Sequence, residues 1–148
     1  MQRRSFIRIS TGFVVAGLLP LKLQAGEVMS PKRGNPLRKE LLNTIRPRVE
    51  ASLRRKVKFL VSVINVQDDW AFLAVTPLDS NGREIDIAST RYAQEADMMD
   101  GLSTFSLLKF SNGHWYEIAH FTGPTDVAYI GWLDDFGVSK ALLGLQQP

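Results

Sequence analysis

Two histidines are the side chains of this sequence best suited to proton transfer near neutral pH. His114 and His120 lie six residues apart in one strand-like stretch, HWYEIAHF. Six residues of strand span about 20 Å, so the two imidazoles cannot bind one metal ion. His120 is the better candidate for a functional site, because the stretch ends beside it at a Gly-Pro turn.

An acid–base pair is the chemistry in which His120 could take part. Asp126 follows Thr125 at the start of a predicted helix, where the helix dipole stabilises a carboxylate. Asp126 could cap this helix, or it could act as a general base paired with His120 across the turn. No serine or cysteine nucleophile motif completes a triad. His120 and Asp126 are therefore the weak catalytic candidates of the sequence.

Aromatic side chains near the same turn could line a binding pocket. Tyr129 and Trp132 follow the turn, and Trp115 lies in the strand before it. If Tyr129 and Trp132 lean across the open end of a sheet, they line an apolar pocket whose polar groups are His120 and Asp126. If Trp115 faces a helix, it belongs to the core instead.

No cofactor or metal is predicted. The chain has no cysteine, which excludes disulfides, thiolate metal sites and cysteine nucleophiles. The sequence also contains no phosphate loop, dinucleotide fingerprint or zinc signature. These observations favour a binding module over an enzyme.

Charge is distributed unevenly along the chain. Residues 31–58 carry ten basic and two acidic side chains, whereas residues 59–148 carry four basic and twelve acidic ones. Such a division can produce a surface that binds anions, or a basic helix whose charge neighbouring acidic loops partly cancel. The candidate anion-binding residues, which could meet anionic lipid or polysaccharide, are Arg38, Lys39, Arg46 and Arg48.

Residues 1–25 have the composition of an export signal. A basic start precedes the apolar run TGFVVAGLLPL, which is much shorter than the about 20 apolar residues that span a bilayer. Arg3, Arg4 and Phe6 resemble the core of a twin-arginine signal, and cleavage near Ala25 would leave no stable membrane span. A general secretory signal and an uncleaved amphipathic anchor are the alternatives.

This interpretation changes the expected partners. Residues 1–25 carry four basic side chains and no acidic one, so their removal lowers the net charge from +3 to −1. A nucleic-acid partner is therefore not expected. The resemblance to an export signal implies a periplasmic or secreted protein, whose partner would be an envelope component or a small ligand. The ligand and the oligomeric state stay open.

The remaining sequence predicts a linker over residues 26–34 and one domain over 35–148. Asn35-Pro36 starts a long helix with an apolar stripe, in which Pro47 predicts a kink or a break. A short helix follows the Gly-Pro turn. Alternating and apolar runs bounded by turns predict strands at 56–66, 70–77, 102–110 and 114–121, and a fifth, edge strand at 83–90.

This order of elements predicts an α+β fold. The long N-terminal helix would pack on an antiparallel sheet of four or five strands, leaving the other sheet face free. The arrangement resembles the cystatin-like architecture and, less closely, the NTF2-like cone. An NTF2-like fold implies the alternative function of a small hydrolase or isomerase that uses His120 and Asp126.

The stretch GHWYEIAHFTGPTDVAYIGWLDDFG, with NPLRKELLNTIRPRVE and DDWAFL before it, resembles a group of small exported proteobacterial proteins of uncharacterised function. These proteins share a G-PTDVA-aromatic-W ending and a W-A-F strand. The resemblance covers most of residues 34–137. It implies export and a small α+β fold, and it implies no activity.

Overall fold

The computed structural model describes residues 25–124 and 127–145. Its fold is α+β, with a four-stranded antiparallel sheet and a short helix near the end, as predicted. The helices are α1 (Pro36–Leu53) and α2 (Trp132–Phe136), and the strands are β1 (Lys58–Gln67), β2 (Trp70–Leu78), β3 (Thr104–Ser111) and β4 (His114–Thr122). Short 3-10 turns occupy Ile87–Ser89, Ala93–Met98 and Ala128–Gly131.

Helix α1 has 18 residues and is not the long helix that was expected. Asn35 caps it by accepting a 2.9 Å hydrogen bond from the backbone N–H of Leu37. The helix does not break at Pro47. A proline inside a helix costs about 3 kcal/mol, but each buried apolar side chain contributes about 1.5–3 kcal/mol. The buried stripe of α1 continues on both sides of the proline, through Leu41, Ile45, Val49 and Leu53.

The four strands follow one another in the order β1-β2-β3-β4, so β1 and β4 are the edges. Asp68 and the Asn112-Gly113 pair adopt positive φ angles in the two hairpin turns that the sequence predicted. The predicted edge strand over 83–90 does not form. Within it, Glu84 makes a single bridge to Leu78, because the following residues turn into the 3-10 segment.

Helix α1 packs on one face of the sheet, which we call the α1 face. Leu41 and Ile45 of the helix share a buried cluster with Ile64 of β1, Leu73 of β2 and Leu108 of β3. This cluster is the core that the apolar stripe of the helix predicted.

The opposite, second face of the sheet is not free as expected. Residues 127–145, which we call the C-terminal segment, cover the part of this face around Phe72 and Leu107. Phe72 and Leu107 of the sheet share a buried cluster with Trp132, Leu142 and Leu143 of this segment. The second face needs a cover because β2 carries apolar side chains on both of its sides, as central strands do.

The cover is incomplete. Thr76 of β2 pairs with Leu60 of β1 beyond the end of the cluster, and Leu60 is 56% exposed. The second face therefore has a covered part and an open part, and a ligand could reach the sheet where the two meet.

The segment 26–31, predicted as part of a linker, is fastened to β1. Met29 and Val66 exchange two backbone hydrogen bonds of 2.8 Å each. The backbone N–H of Gly26 donates to the carboxylate of Asp68 at 3.1 and 3.2 Å. Within residues 25–124 and 127–145, no helix has the length and apolar character needed to span a bilayer.

Candidate functional site

A cavity of about 280 Å³ opens where the C-terminal segment leaves the second face of the sheet. We call it the aromatic cleft. Its rings are those of Phe72, Phe105 and Tyr129, and its aliphatic hydroxyl groups are those of Ser62, Thr76 and Ser103. An apolar concavity with a few polar groups is the usual form of a small-molecule site.

The sheet fixes the floor of the aromatic cleft. Phe72 and Phe105 stand on adjacent strands, with ring centroids 6.4 Å apart and planes within 17° of each other. Leu107, which pairs with Phe72 across the strands, is fully buried beside them. Because β2 and β3 are both internal strands, the two rings are held rigidly.

The wall of the aromatic cleft is Tyr129, from the 3-10 turn before α2. Its ring centroid lies 5.0 Å from that of Phe72 and 4.7 Å from that of Phe105. Trp132 secures this turn, because it is only 4% exposed and stacks on Phe121 of β4 at 5.4 Å. The tyrosine is therefore held over the two phenylalanine rings by a buried anchor.

A second cavity of about 510 Å³ continues over the open part of the second face. It shares Thr76 and Ser103 with the aromatic cleft. The two hydroxyl oxygens lie 3.4 Å apart. The only charged side chains among the described residues that line either cavity are Glu84 and Asp100.

The structure separates the three aromatic residues that the sequence singled out. Tyr129 lines the aromatic cleft, and Trp132 lies behind it in the core. Trp115 packs on the α1 face, where its ring centroid lies 5.2 Å from that of Phe110. The alternation of side chains along β4 places Trp115 on the sheet face opposite the one that Tyr129 and Trp132 cover.

His120, the histidine of the catalytic pair suggested by the sequence, does not share a site with Tyr129. His120 pairs across the strands with Ser106, whose hydroxyl lies on the α1 face, while Phe121 beside it contacts Trp132 on the second face. Asp126 lies outside the described residues, so its pairing with His120 stays a prediction. His114 is exposed at the start of β4.

His120 nevertheless has a distinctive environment. The residue as a whole is exposed, but its ring loses part of its contact with water. This desolvation, together with the nearby positive charge of Arg48, lowers the pKa of His120, against the opposing effect of Glu117. The neutral imidazole is therefore favoured in the folded protein.

Arg48 is engaged within the fold and is not available to an external anion. Its Nε and Nη2 atoms donate to the two carboxylate oxygens of Glu117 at 2.6 and 2.7 Å. The hydroxyl of Ser106, which is fully buried, donates to the same carboxylate at 2.7 Å. No local pattern in the sequence indicates this cluster, which ties helix α1 to the edge strand β4.

The other predicted anion-binding residues, Arg38, Lys39 and Arg46, line a groove beside α1, remote in the sequence from the aromatic cleft. Among the residues that the structure describes, no group of three or more histidine, aspartate or glutamate side chains is placed to bind a metal ion.

Comparison of the chain with protein-family models, with curated proteins and with solved structures returns no significant match. The resemblances to exported proteobacterial proteins, to a twin-arginine signal and to the cystatin-like fold therefore stay predictions. Function has to be argued from the geometry of the chain itself.

Proposed function

We propose that this domain is a non-catalytic binding module of the bacterial envelope, and that it holds a small, planar, largely apolar ligand in the aromatic cleft. The observation that carries the proposal is the position of Tyr129, within 5.0 Å of both Phe72 and Phe105 beside an open volume of about 280 Å³. Phe72 is only 1% exposed, so a planar ligand would contact the partly exposed rings of Phe105 and Tyr129, in the stacked or tilted geometry that aromatic pairs prefer.

The polar groups of the cleft support binding rather than acid–base chemistry. Ser62, Thr76 and Ser103 offer hydroxyls that can donate or accept hydrogen bonds and so orient a ligand. The described residues that line the cleft include no histidine, aspartate, glutamate or lysine that could act as a base. The volume lies near the lower limit of about 300 Å³ for small-molecule pockets, so the ligand is small.

Export of the protein is part of the same proposal. The basic start and short apolar run of residues 1–25 support transport to the periplasm or the medium by the twin-arginine route. Replacing both Arg3 and Arg4 by lysine should then retain the precursor inside the cell. Normal export of that variant would favour the general secretory pathway.

The helix-on-sheet arrangement supports a cystatin-like fold over an NTF2-like one. One helix precedes a four-stranded antiparallel sheet in which sequential strands are neighbours. NTF2-like chains usually place more helix before the sheet. A fold of this kind hosts both binders and enzymes, so the aromatic cleft, and not the fold, carries the functional proposal.

The experiment is a thermal-shift series with 2-naphthol as the planar probe. A probe at ten times its Kd stabilises the folded state by about 1.4 kcal/mol, which raises the melting temperature by roughly 3–5 °C. Tyr129→Ala should abolish the shift. Tyr116→Ala is the matched control, because Tyr116 is 48% exposed on β4 and does not line the cleft.

A second variant tests the same site if Tyr129→Ala does not fold. Ala74 lies in the floor of the cleft and is 7% exposed, so Ala74→Leu adds carbon atoms to the cleft itself. It should block the probe while the protein stays folded. An equal thermal shift in the parent, Tyr129→Ala and Ala74→Leu proteins would refute the proposed site.

A further inference from the structure

A third cavity lies against helix α1 rather than on the second face of the sheet. It has a volume of about 530 Å³ and is bordered by the side chains of Arg33, Arg38, Lys39 and Arg46. Leu42 is its main apolar side chain. No acidic residue is among the described residues that line it, and we call it the basic groove.

Two of the guanidinium groups are held in place by hydrogen bonds to neutral backbone carbonyls. Arg38 donates from Nη1 to the backbone carbonyl of Pro31 at 3.1 Å. Arg46 donates from Nη1 to the carbonyl of Val57 at 2.6 Å, and its guanidinium carbon lies 4.8 Å from the centroid of the Phe59 ring. A guanidinium has five N–H donors, so both groups keep donors for a ligand.

The carboxylate of Glu50 is shared between Arg46 and Lys56. It lies 3.9 Å from Arg46 and binds Lys56 at 2.8 Å. Among the described residues, no salt bridge joins Arg33, Arg38 or Lys39 to a carboxylate, so the groove keeps a net positive charge. Arg48, by contrast, is balanced by Glu117 at 2.6 Å.

The start of α1 carries positive charge without a compensating acid. Its first turn contains Arg38 and Lys39 and no acidic residue, and cations near the N-terminus of a helix are unfavourable. The other end of the helix follows the dipole, because Arg55 donates from Nε to the carbonyl of Leu53 at 3.3 Å. A bound anion in the basic groove would relieve the unfavourable charge at the start of the helix.

We propose that the basic groove binds the phosphate headgroup of an anionic phospholipid. Arg38 and Arg46 would supply oriented, charge-assisted hydrogen bonds to phosphate oxygens, and Arg33 and Lys39 would add positive charge. Leu42 provides a contact for the apolar atoms next to the headgroup, which favours a lipid over a sulfated or phosphorylated sugar. This site is separate from the aromatic cleft and does not depend on its function.

The test uses the full chain and dihexanoyl phosphatidylglycerol as a monomeric probe, with changes in backbone amide NMR signals as the readout. Signals of residues 33–46 should move saturably with this lipid and should not move with dihexanoyl phosphatidylcholine, whose headgroup has no net charge. Because the readout is resolved by residue, contacts made elsewhere on the chain are counted separately. Raising the salt concentration should weaken the binding.

The informative variant is Arg38→Glu with Lys39→Glu. It places carboxylates near the start of α1, where the dipole favours them, so the variant should melt no lower than the parent. Its affinity for the anionic lipid should fall at least tenfold. The matched control is Lys58→Glu with Lys140→Glu, which makes the same change of charge at exposed positions outside the groove.

Three outcomes would overturn the proposal. The first is equal NMR signal changes with the anionic and the zwitterionic lipid. The second is an unchanged affinity of the Arg38→Glu, Lys39→Glu protein for the anionic lipid. The third is a loss of affinity in the Lys58→Glu, Lys140→Glu control as large as in that variant. Signal changes in residues 33–46 with dextran sulfate but not with the anionic lipid would replace the lipid by a polyanionic polysaccharide.

Discussion

The Arg48–Glu117 ion pair provides the sharpest prediction for stability. Its two side chains are 23% and 12% exposed, so the pair lies between the surface and the interior. Breaking an exposed pair costs about 0–1 kcal/mol, and removing one partner of a buried pair costs about 3–5 kcal/mol. For this partly buried and bidentate pair, Arg48→Met should therefore lower the free energy of unfolding by about 2–3 kcal/mol.

The physical reason is the charge left behind. After the arginine is removed, the hydroxyl of Ser106 is the one side-chain donor within the described residues that still bonds Glu117. Adding Glu117→Leu removes that charge, so the double variant should regain stability relative to the sum of the two single changes. The remaining loss should be about 1 kcal/mol, because Ser106 then lacks its buried acceptor.

The assay is urea unfolding at pH 7, followed by tryptophan fluorescence for the parent, both single variants and the double variant. Because Glu117→Leu alone should cost at least about 1 kcal/mol for the lost acceptor of Ser106, the coupling energy from this double-mutant cycle should be about 2–3 kcal/mol. A loss below about 0.5 kcal/mol for Arg48→Met, or additive effects in the cycle, would refute the view that this pair holds α1 to β4.

Three further changes test other parts of the fold. The pKa of His120 is lowered from its usual 6.5, so on acidification the unfolded chain takes up a proton before the folded one does, and stability present above pH 6.5 is lost as the pH falls below it. His120→Gln should reduce this loss when urea unfolding is compared at pH 5 and pH 7. Identical pH dependence in the variant and the parent would contradict the lowered pKa of His120. Gly123→Ala should destabilise the protein more than Gly34→Ala, although both glycines have a positive φ. A Cβ at residue 123 would lie 2.7 Å from the carbonyl oxygen of Gly101, whereas a Cβ at residue 34 would meet nothing within 4 Å. Equal melting temperatures of the two variants would refute this. Trp132→Ala should cost about 3–5 kcal/mol in chemical unfolding because its ring is buried, and a loss below about 1 kcal/mol would show that the ring does not anchor the turn.

The elements that local sequence signals define were predicted well. Asn35-Pro36 marks the start of α1 because a side-chain cap and a fixed φ act on the nearest few residues. The two hairpins follow from residues that tolerate positive φ, Asp68 and Asn112, between apolar strands. Helix and strand boundaries in these regions lie within about two residues of the prediction, as expected where capping and turn chemistry are local.

The candidate site was predicted only in part, because it depends on contacts that are distant in the sequence. Tyr129 was recognised as a pocket residue, but Phe72 and Phe105 belong to apolar strands and look like ordinary core residues. Whether they are covered depends on where the C-terminal segment stops on the second face. The SKALLGL stretch that ends this segment has no periodicity that would reveal its packing onto β2 and β3.

The charged residues illustrate the same limit. Arg46 and Arg48 stand two positions apart on one helix, and composition does not distinguish them. In the fold, one borders the basic groove and the other is bound by Glu117, which lies 69 residues away in the sequence. Such a partner is set by the packing of α1 against β4, which no local pattern encodes.

The most direct test of the central claim is a titration of the full chain with 2-naphthol, followed by backbone amide NMR signals. Binding in the aromatic cleft should cause saturable changes at residues 72–76, 103–105 and 129, the parts of the chain that surround it. Changes centred instead on Tyr116 and Ile118, the exposed apolar side chains of β4, would contradict it.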